Sequence, residues 1–131
     1  MDHNIHTYIA PGRRAHLVGI GGVSMSPLAE VLHGAGMVIT GSDMREGTAV
    51  AHLRSLGIPV AIGHREENVG DAELVIRTAA VHDSNPEIAA ARARGIPVFE
   101  RAQAWGAIMK GYQNAPVSYT HLRAHETTLH L

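Results

Sequence analysis

The sequence predicts an α/β domain, a three-layer αβα sandwich around a parallel sheet of about five strands. Three observations lead there. Apolar runs of strand length alternate with segments whose apolar residues recur at helical spacing. A glycine-rich turn, Gly19-Ile20-Gly21-Gly22-Val23-Ser24-Met25-Ser26, joins the first such run to the first such helix. The tetrapeptide Gly-Ile-Pro-Val occurs at 57–60 and again at 95–98, each time closing a helical stretch and opening an apolar run. Parallel neighbours need long crossover connections, and alternating helices supply them with the right-handed sense that dominates such folds.

Each element follows from its residues. Ala15–Gly19 is a short strand. Met25, Leu28, Ala29 and Leu32 form the apolar stripe of a first helix, with Ser24 expected to cap it and Pro27 tolerated in its first turn. Gly34 and Gly36 end it. Met37–Thr40 is the second strand, followed by Gly41-Ser42-Asp43. Val50, Leu53 and Leu56 stripe a second helix, Pro59–Ile62 is a third strand and Leu74–Arg77 a fourth. Asn85-Pro86-Glu87 reads as a helix start, with a capping amide, proline at the first position and an acid in the first turn. Ile96–Phe99 is the fifth strand, and Trp105, Ile108, Met109 and Tyr112 stripe a last helix.

Composition narrows the function. At 131 residues the chain fits one ordinary domain. A formal net charge of −1 gives no footprint for nucleic acid or an anionic membrane. The absence of cysteine removes disulfides, thiolate catalysis and cysteine-bound zinc, and suits a reducing cytosol. No run approaches the roughly 20 apolar residues of a membrane span, and the first residues lack a signal pattern. A cytoplasmic protein is therefore expected.

The glycine turn carries the chemistry. A strand running through Gly19-x-Gly21-Gly22-x-Ser24 into a helix is a Rossmann-like, dinucleotide-binding arrangement with serine at the third glycine position. The first glycine makes the tight turn. The second brings a diphosphate close to backbone amides at a helix N-terminus, whose partial positive charge favours anions. Asp43 follows the second strand, about 20 residues beyond the glycines, where a carboxylate grips ribose hydroxyls. On this chemistry alone an NAD-binding oxidoreductase domain fits nearly as well as any other nucleotide binder.

Beyond the turn, HLVGIGGVSMSPLAEVL, VITGSD, IGHREENV and VIRTAAVHDSNPEIAAARARGIPVFERA resemble successive segments of the UDP-N-acetylmuramate–L-alanine ligase family. The similarity runs nearly continuously from Ala15 to Asn114. It implies a domain that binds UDP-N-acetylmuramate rather than NAD. The resemblance places the diphosphate on the amides of Gly21, Gly22, Val23, Ser24 and Met25, with Ser24 and Ser26 as hydroxyl donors, and counts Gly19 among the substrate-binding residues. It places Ser42 and Asp43 near the uridine, and His64, Thr78, Ala79 and Ala80 along the rim. Where the family often has Ser-Ser-Ala-Ile, this chain has Thr78-Ala79-Ala80-Val81.

The resemblance also implies ATP and magnesium for the whole enzyme, which activates the lactyl carboxylate as an acyl phosphate before L-alanine displaces phosphate. The Gly-Lys-Thr phosphate loop that this requires is absent here. The expectation is a substrate-binding piece with no catalytic residue, no metal and no cofactor of its own, lacking the central ATPase and C-terminal domains. A ligase that recycles murein tripeptide onto the same nucleotide sugar is the neighbouring alternative.

Residues 1–14 read as an N-terminal extension, 15–114 as the binding domain and 115–131 as a non-native tail. SYTHLRAHET in that tail resembles translated sequencing adapter. His125 and His130 there stand one residue too far apart for a zinc-binding HExxH helix. His16 is expected as a packed or surface strand residue. His64, after Gly63 in a loop, is either a ligand contact or a plain turn residue.

Overall fold

The computed structural model describes residues 5–113. Its strands are β1 (Arg14–Val18), β2 (Val38–Asp43), β3 (Val60–Ile62), β4 (Leu74–Arg77) and β5 (Val98–Glu100). They form one sheet in the order β3-β2-β1-β4-β5, every pairing parallel. The helices are α1 (Ile5–Tyr8), α2 (Met25–Gly34), α3 (Thr48–Ser55), α4 (Pro86–Ala93) and α5 (Arg101–Gln113). The expected α/β sandwich is present.

The strand order fixes where a ligand can enter. From β1 the chain steps outward to β2 and β3, then crosses back to β4 on the other side of β1. The loops leaving β1 and β4 therefore part above the carboxyl ends of those strands, opening the crevice in which open α/β sheets bind their ligands.

The two faces of the sheet are covered unequally. Ala15, Leu17, Ile39 and Ile76 share one core with Met25, Leu28 and Leu32 of α2, Val50 and Leu53 of α3, and Ala104 and Ile108 of α5. Val18 and Val75 face the other way, against Ile88 and Ala91 of α4. The connection from β3 to β4 contains a short 3-10 turn, Glu66–Val69, instead of a helix. Buried polar side chains occupy that part of the second face.

Several elements depart from the sequence reading. The second strand runs on through Gly41, Ser42 and Asp43, because Gly41 and Ser42 pair with both β1 and β3. Gly41 is also where Ile20 crosses the sheet, since a Cβ there would sit 2.3 Å from Ile20 Cδ1. Ser24 does not cap α2 with its side chain. Leu56 and Met109 are 39% and 55% exposed, so the inward faces of α3 and α5 are narrower than their stripes. Ahead of β1 lies α1, whose Ile5 and Tyr8 pack against the larger core. The Tyr112 side chain and the tail, with its histidines, lie outside the described residues. Among the described residues, no helix is long and apolar enough to cross a membrane.

Candidate functional site

A cleft of about 520 Å³ opens at the carboxyl end of the sheet, lined by Gly19 and Gly22, Asp43 and Met44, His64, and the loop Thr78–Asn85. It stands at the crevice dictated by the strand order.

The glycine turn forms one wall. Gly19 has φ of +80°, a conformation that a side chain would strain, and its amide donates to Ser42 O at 2.9 Å. The Gly21 amide is taken by Asp43 Oδ2 at 2.8 Å, and the Gly22 amide by Gly19 O at 3.1 Å. The amides of Val23, Ser24 and Met25 make no such bond in the turn. They are the unsatisfied donors of the α2 N-terminus. Val23 is 97% exposed at the tip, whereas the Met25 side chain is buried in the core.

Gly21 has a structural reason to lack a side chain. A Cβ would lie 2.9 Å from Asp43 Oδ2 and 3.1 Å from Val50 Cγ2. Asp43 thus ties β2 to the glycine turn through one oxygen, while its other oxygen accepts the Met44 amide at 2.8 Å. That second oxygen also meets the Arg45 amide at 3.5 Å, whereas Oδ2 has room for a further bond, and the residue still lines the cleft. The Ser24 hydroxyl, free of capping, accepts from Arg101 Nη1 at 3.0 Å. That bond brings a guanidinium from the start of α5 to the α2 N-terminus.

The opposite wall rests on a buried carboxylate. Glu87 is the second residue of α4, whose start is capped as expected: Asn85 Oδ1 accepts the Glu87 amide at 2.8 Å. An acid in a first helical turn usually points to solvent, yet Glu87 has 0% exposure. Its Oε1 accepts from His16 Nε2 at 2.5 Å and Ser42 Oγ at 2.7 Å. Its Oε2 accepts from His64 Nδ1 at 2.9 Å, Asn68 Nδ2 at 3.0 Å and the Arg65 amide at 3.2 Å. Burial alone pushes the carboxyl's pKa up. The hydrogen bonds from His16, Ser42 and Asn68, with the His16 charge, outweigh it and lower the pKa to about 2. His16 completes the network by meeting Thr40 Oγ1 at 2.8 Å on the neighbouring strand. Among the described residues, no group of histidines and acids could hold a metal ion.

Arg77 holds the last wall. At the end of β4 it binds Asp83, the Val81 carbonyl at 3.3 Å and Glu100 at 3.1 Å, clamping the loop that contains Thr78 and Ser84. Desolvation disfavours the Arg77 charge, but the two carboxylates more than compensate and raise its pKa.

The structure therefore gathers Gly19, Gly22, Asp43, His64 and Thr78 around one cleft. Ala80 lines it as well, Ala79 lies exposed in the same loop, and Ser26 follows the turn in the first helical turn of α2. Ser42 is fully buried and committed to Glu87, so it supports the cleft wall from behind. Sequence reasoning missed Arg101 and Glu87. No local pattern marks Arg101, since its partner Ser24 is distant in sequence. The buried histidine of β1 and the cap at Asn85 were signals for Glu87, but nothing in either brings the two together.

Comparison with known proteins gives these residues a context. The family described as "Mur ligase family, catalytic domain" matches residues 14–113. A UDP-N-acetylmuramate–L-alanine ligase of Rhodospirillum rubrum is 47% identical over 114 residues, covering 87% of this chain and 24% of that protein. Its counterpart from Acetivibrio thermocellus is 45% identical over 118 residues, covering 89% and 25%. The crystal structure of UDP-N-acetylmuramate–alanine ligase from Thermotoga maritima superposes with a TM-score of 0.74 at 39% identity, covering 76% of this chain and 23% of that one. The chain spans about a quarter of the length of the curated relatives it matches.

Proposed function

The chain belongs to the Mur ligase family, and we propose that it forms the UDP-N-acetylmuramate-binding part of a cytoplasmic UDP-N-acetylmuramate–L-alanine ligase of peptidoglycan synthesis. The observation that carries this reading is the α2 N-terminus. Three consecutive amides, at Val23, Ser24 and Met25, are left without partners in the turn, beside a cleft at the switch point of the sheet. The names of its relatives support the choice of substrate, and the open amides beside the cleft support this position for it.

In this proposal the diphosphate lies on those amides. The helix dipole favours its charge by about 0.3–1 kcal/mol per favourable contact at an exposed site. Arg101 adds a full positive charge at the same end. Asp43, His64 and Thr78 then border the uridine, as they border the cleft. ATP with magnesium supplies the activation of the lactyl carboxylate in the whole enzyme. This sequence contains no Gly-Lys pair to wrap its phosphates, so these residues hold the nucleotide sugar and do not perform the ligation themselves. The ATPase and amino-acid-binding parts are its partners within the proposed enzyme.

Titration calorimetry separates this reading from its rivals. UDP-N-acetylmuramate is expected to bind and NAD to bind weakly or not at all. Tighter binding of NAD would replace the proposal with an oxidoreductase-type site. Silence towards both ligands by a folded sample would reject nucleotide binding altogether.

A further inference from the structure

The hydrogen bonds around Glu87 determine where the proton of His64 sits. The Arg65 amide and the Asn68 side-chain amide can only donate, and both point at Oε2, leaving no place for a proton on that oxygen. Ser42 spends its one hydroxyl proton on Oε1, so towards His64 its oxygen is an acceptor. Both contacts of His64 Nδ1, to Glu87 Oε2 at 2.9 Å and Ser42 Oγ at 3.2 Å, therefore require a proton on Nδ1.

The other ring nitrogen is placed differently. His64 Nε2 meets no protein group among the described residues, and no buried side-chain nitrogen or oxygen there lacks a partner. Nε2 is consequently open to solvent, and the cleft is what His64 lines. Asp43 and His82 are the other titratable groups lining that cleft, while Glu87 and Ser42 stand behind the ring.

We propose that Glu87 is a positioning residue that holds His64 in its Nδ1–H tautomer, turning a proton-free Nε2 into the cleft as acceptor for an imide N–H or hydroxyl of the bound nucleotide. Fixing one ring nitrogen with a carboxylate is a general way to orient a histidine and define its free nitrogen. His16 shares the carboxylate from the buried side, giving its Nε2 proton to Glu87 and meeting the Thr40 hydroxyl with Nδ1. The ligand's identity rests on the function proposed above. The tautomer does not.

The test is long-range proton–nitrogen NMR on the 131-residue chain with labelled histidine. His64 should show a protonated Nδ1 and a bare Nε2, and UDP-N-acetylmuramate should shift the Nε2 signal. A proton on Nε2 in the free protein overturns the tautomer assignment, whatever the ligand does. Glu87→Gln, whose carbonyl oxygen the Arg65 and Asn68 donors hold at the Oε2 position, should keep the proton on Nδ1, whereas Glu87→Ala, which removes the acceptor, should populate that other tautomer. His64→Gln, which keeps an acceptor near the Nε2 position, should bind UDP within about threefold of the parent, whereas His64→Asn should lose about tenfold, one hydrogen bond's worth. Equal losses in the two variants overturn the acceptor role. N3-methyl-UDP binding about tenfold weaker than UDP identifies the imide as donor, and 2′-deoxy-UDP doing so identifies the hydroxyl. If neither analogue is weakened, the acceptor role is overturned. Failure of UDP-N-acetylmuramate to bind a protein with the Nδ1–H tautomer rejects the functional reading and the acceptor role, while the positioning by Glu87 stands.

Discussion

Replacing Glu87 by alanine would leave five hydrogen-bond donors, from His16, Ser42, His64, Arg65 and Asn68, facing a void on the second face of the sheet. Removing one partner of a buried charged network typically costs about 3–5 kcal/mol. The acid titration of the native protein gives an independent measure of the same group. A carboxyl lowered from 4.5 to about 2 is favoured in its charged form by about 3 kcal/mol, at 1.36 kcal/mol per unit. Because the folded value is the lower one, this stability is complete above pH 4.5 and is lost as the pH falls through about 2. A domain of this size has roughly 5–15 kcal/mol in total, so the substitution removes a large fraction. Urea unfolding followed by the fluorescence of the single tryptophan, Trp105, measures the loss. The parent should lose stability between about pH 4.5 and 2 with a slope that is shallower in Glu87→Ala, where the lowered carboxyls of Glu73 and Asp83 still contribute. A loss below about 1 kcal/mol, or an unchanged acid slope in the variant, would refute the claim that this carboxylate is charged and fully bonded.

Three further substitutions probe the cleft and its support. Gly41→Ala drives a methyl to 2.3 Å from Ile20 Cδ1 and should cost about 1–3 kcal/mol by overpacking; an unchanged urea midpoint would show that Ile20 has room to move. Asp43→Ala removes the acceptor for the Gly21 amide as well as any ribose contact, and should weaken UDP-N-acetylmuramate binding more than about tenfold by calorimetry. Unaltered affinity removes Asp43 from the site. Arg101→Gln should weaken UDP by about tenfold and leave uridine unaffected, and equal effects on both would place the guanidinium away from the phosphates.

The sheet was legible because its signals are local. Strand-length apolar runs, Gly57 and Gly95 with positive φ before the returning strands, and the Asn85-Pro86 cap each act within a few residues. The second strand was read short because Gly41, Ser42 and Asp43 are turn-forming types, and only pairing with β1 and β3 makes them strand. The glycine turn was recognisable, but the reason for Gly21 was not. It avoids Asp43 and Val50, and its amide is used within the fold, so the donors left for a ligand begin at Val23. Ser24 was read as a cap because serine often is one; a distant arginine claims its hydroxyl instead. His64 was legible as a loop residue of interest, whereas its fixed orientation depends on Glu87, which only the folded chain brings near.

The central claim is that a nucleotide diphosphate sits on the α2 N-terminus. Amide proton–nitrogen spectra recorded while UDP-N-acetylmuramate is added test it most directly. The largest shifts are expected at Val23, Ser24 and Met25, with smaller ones at Asp43, His64 and Thr78 and none along α3. Saturable shifts elsewhere, with the three turn amides unmoved, would contradict it.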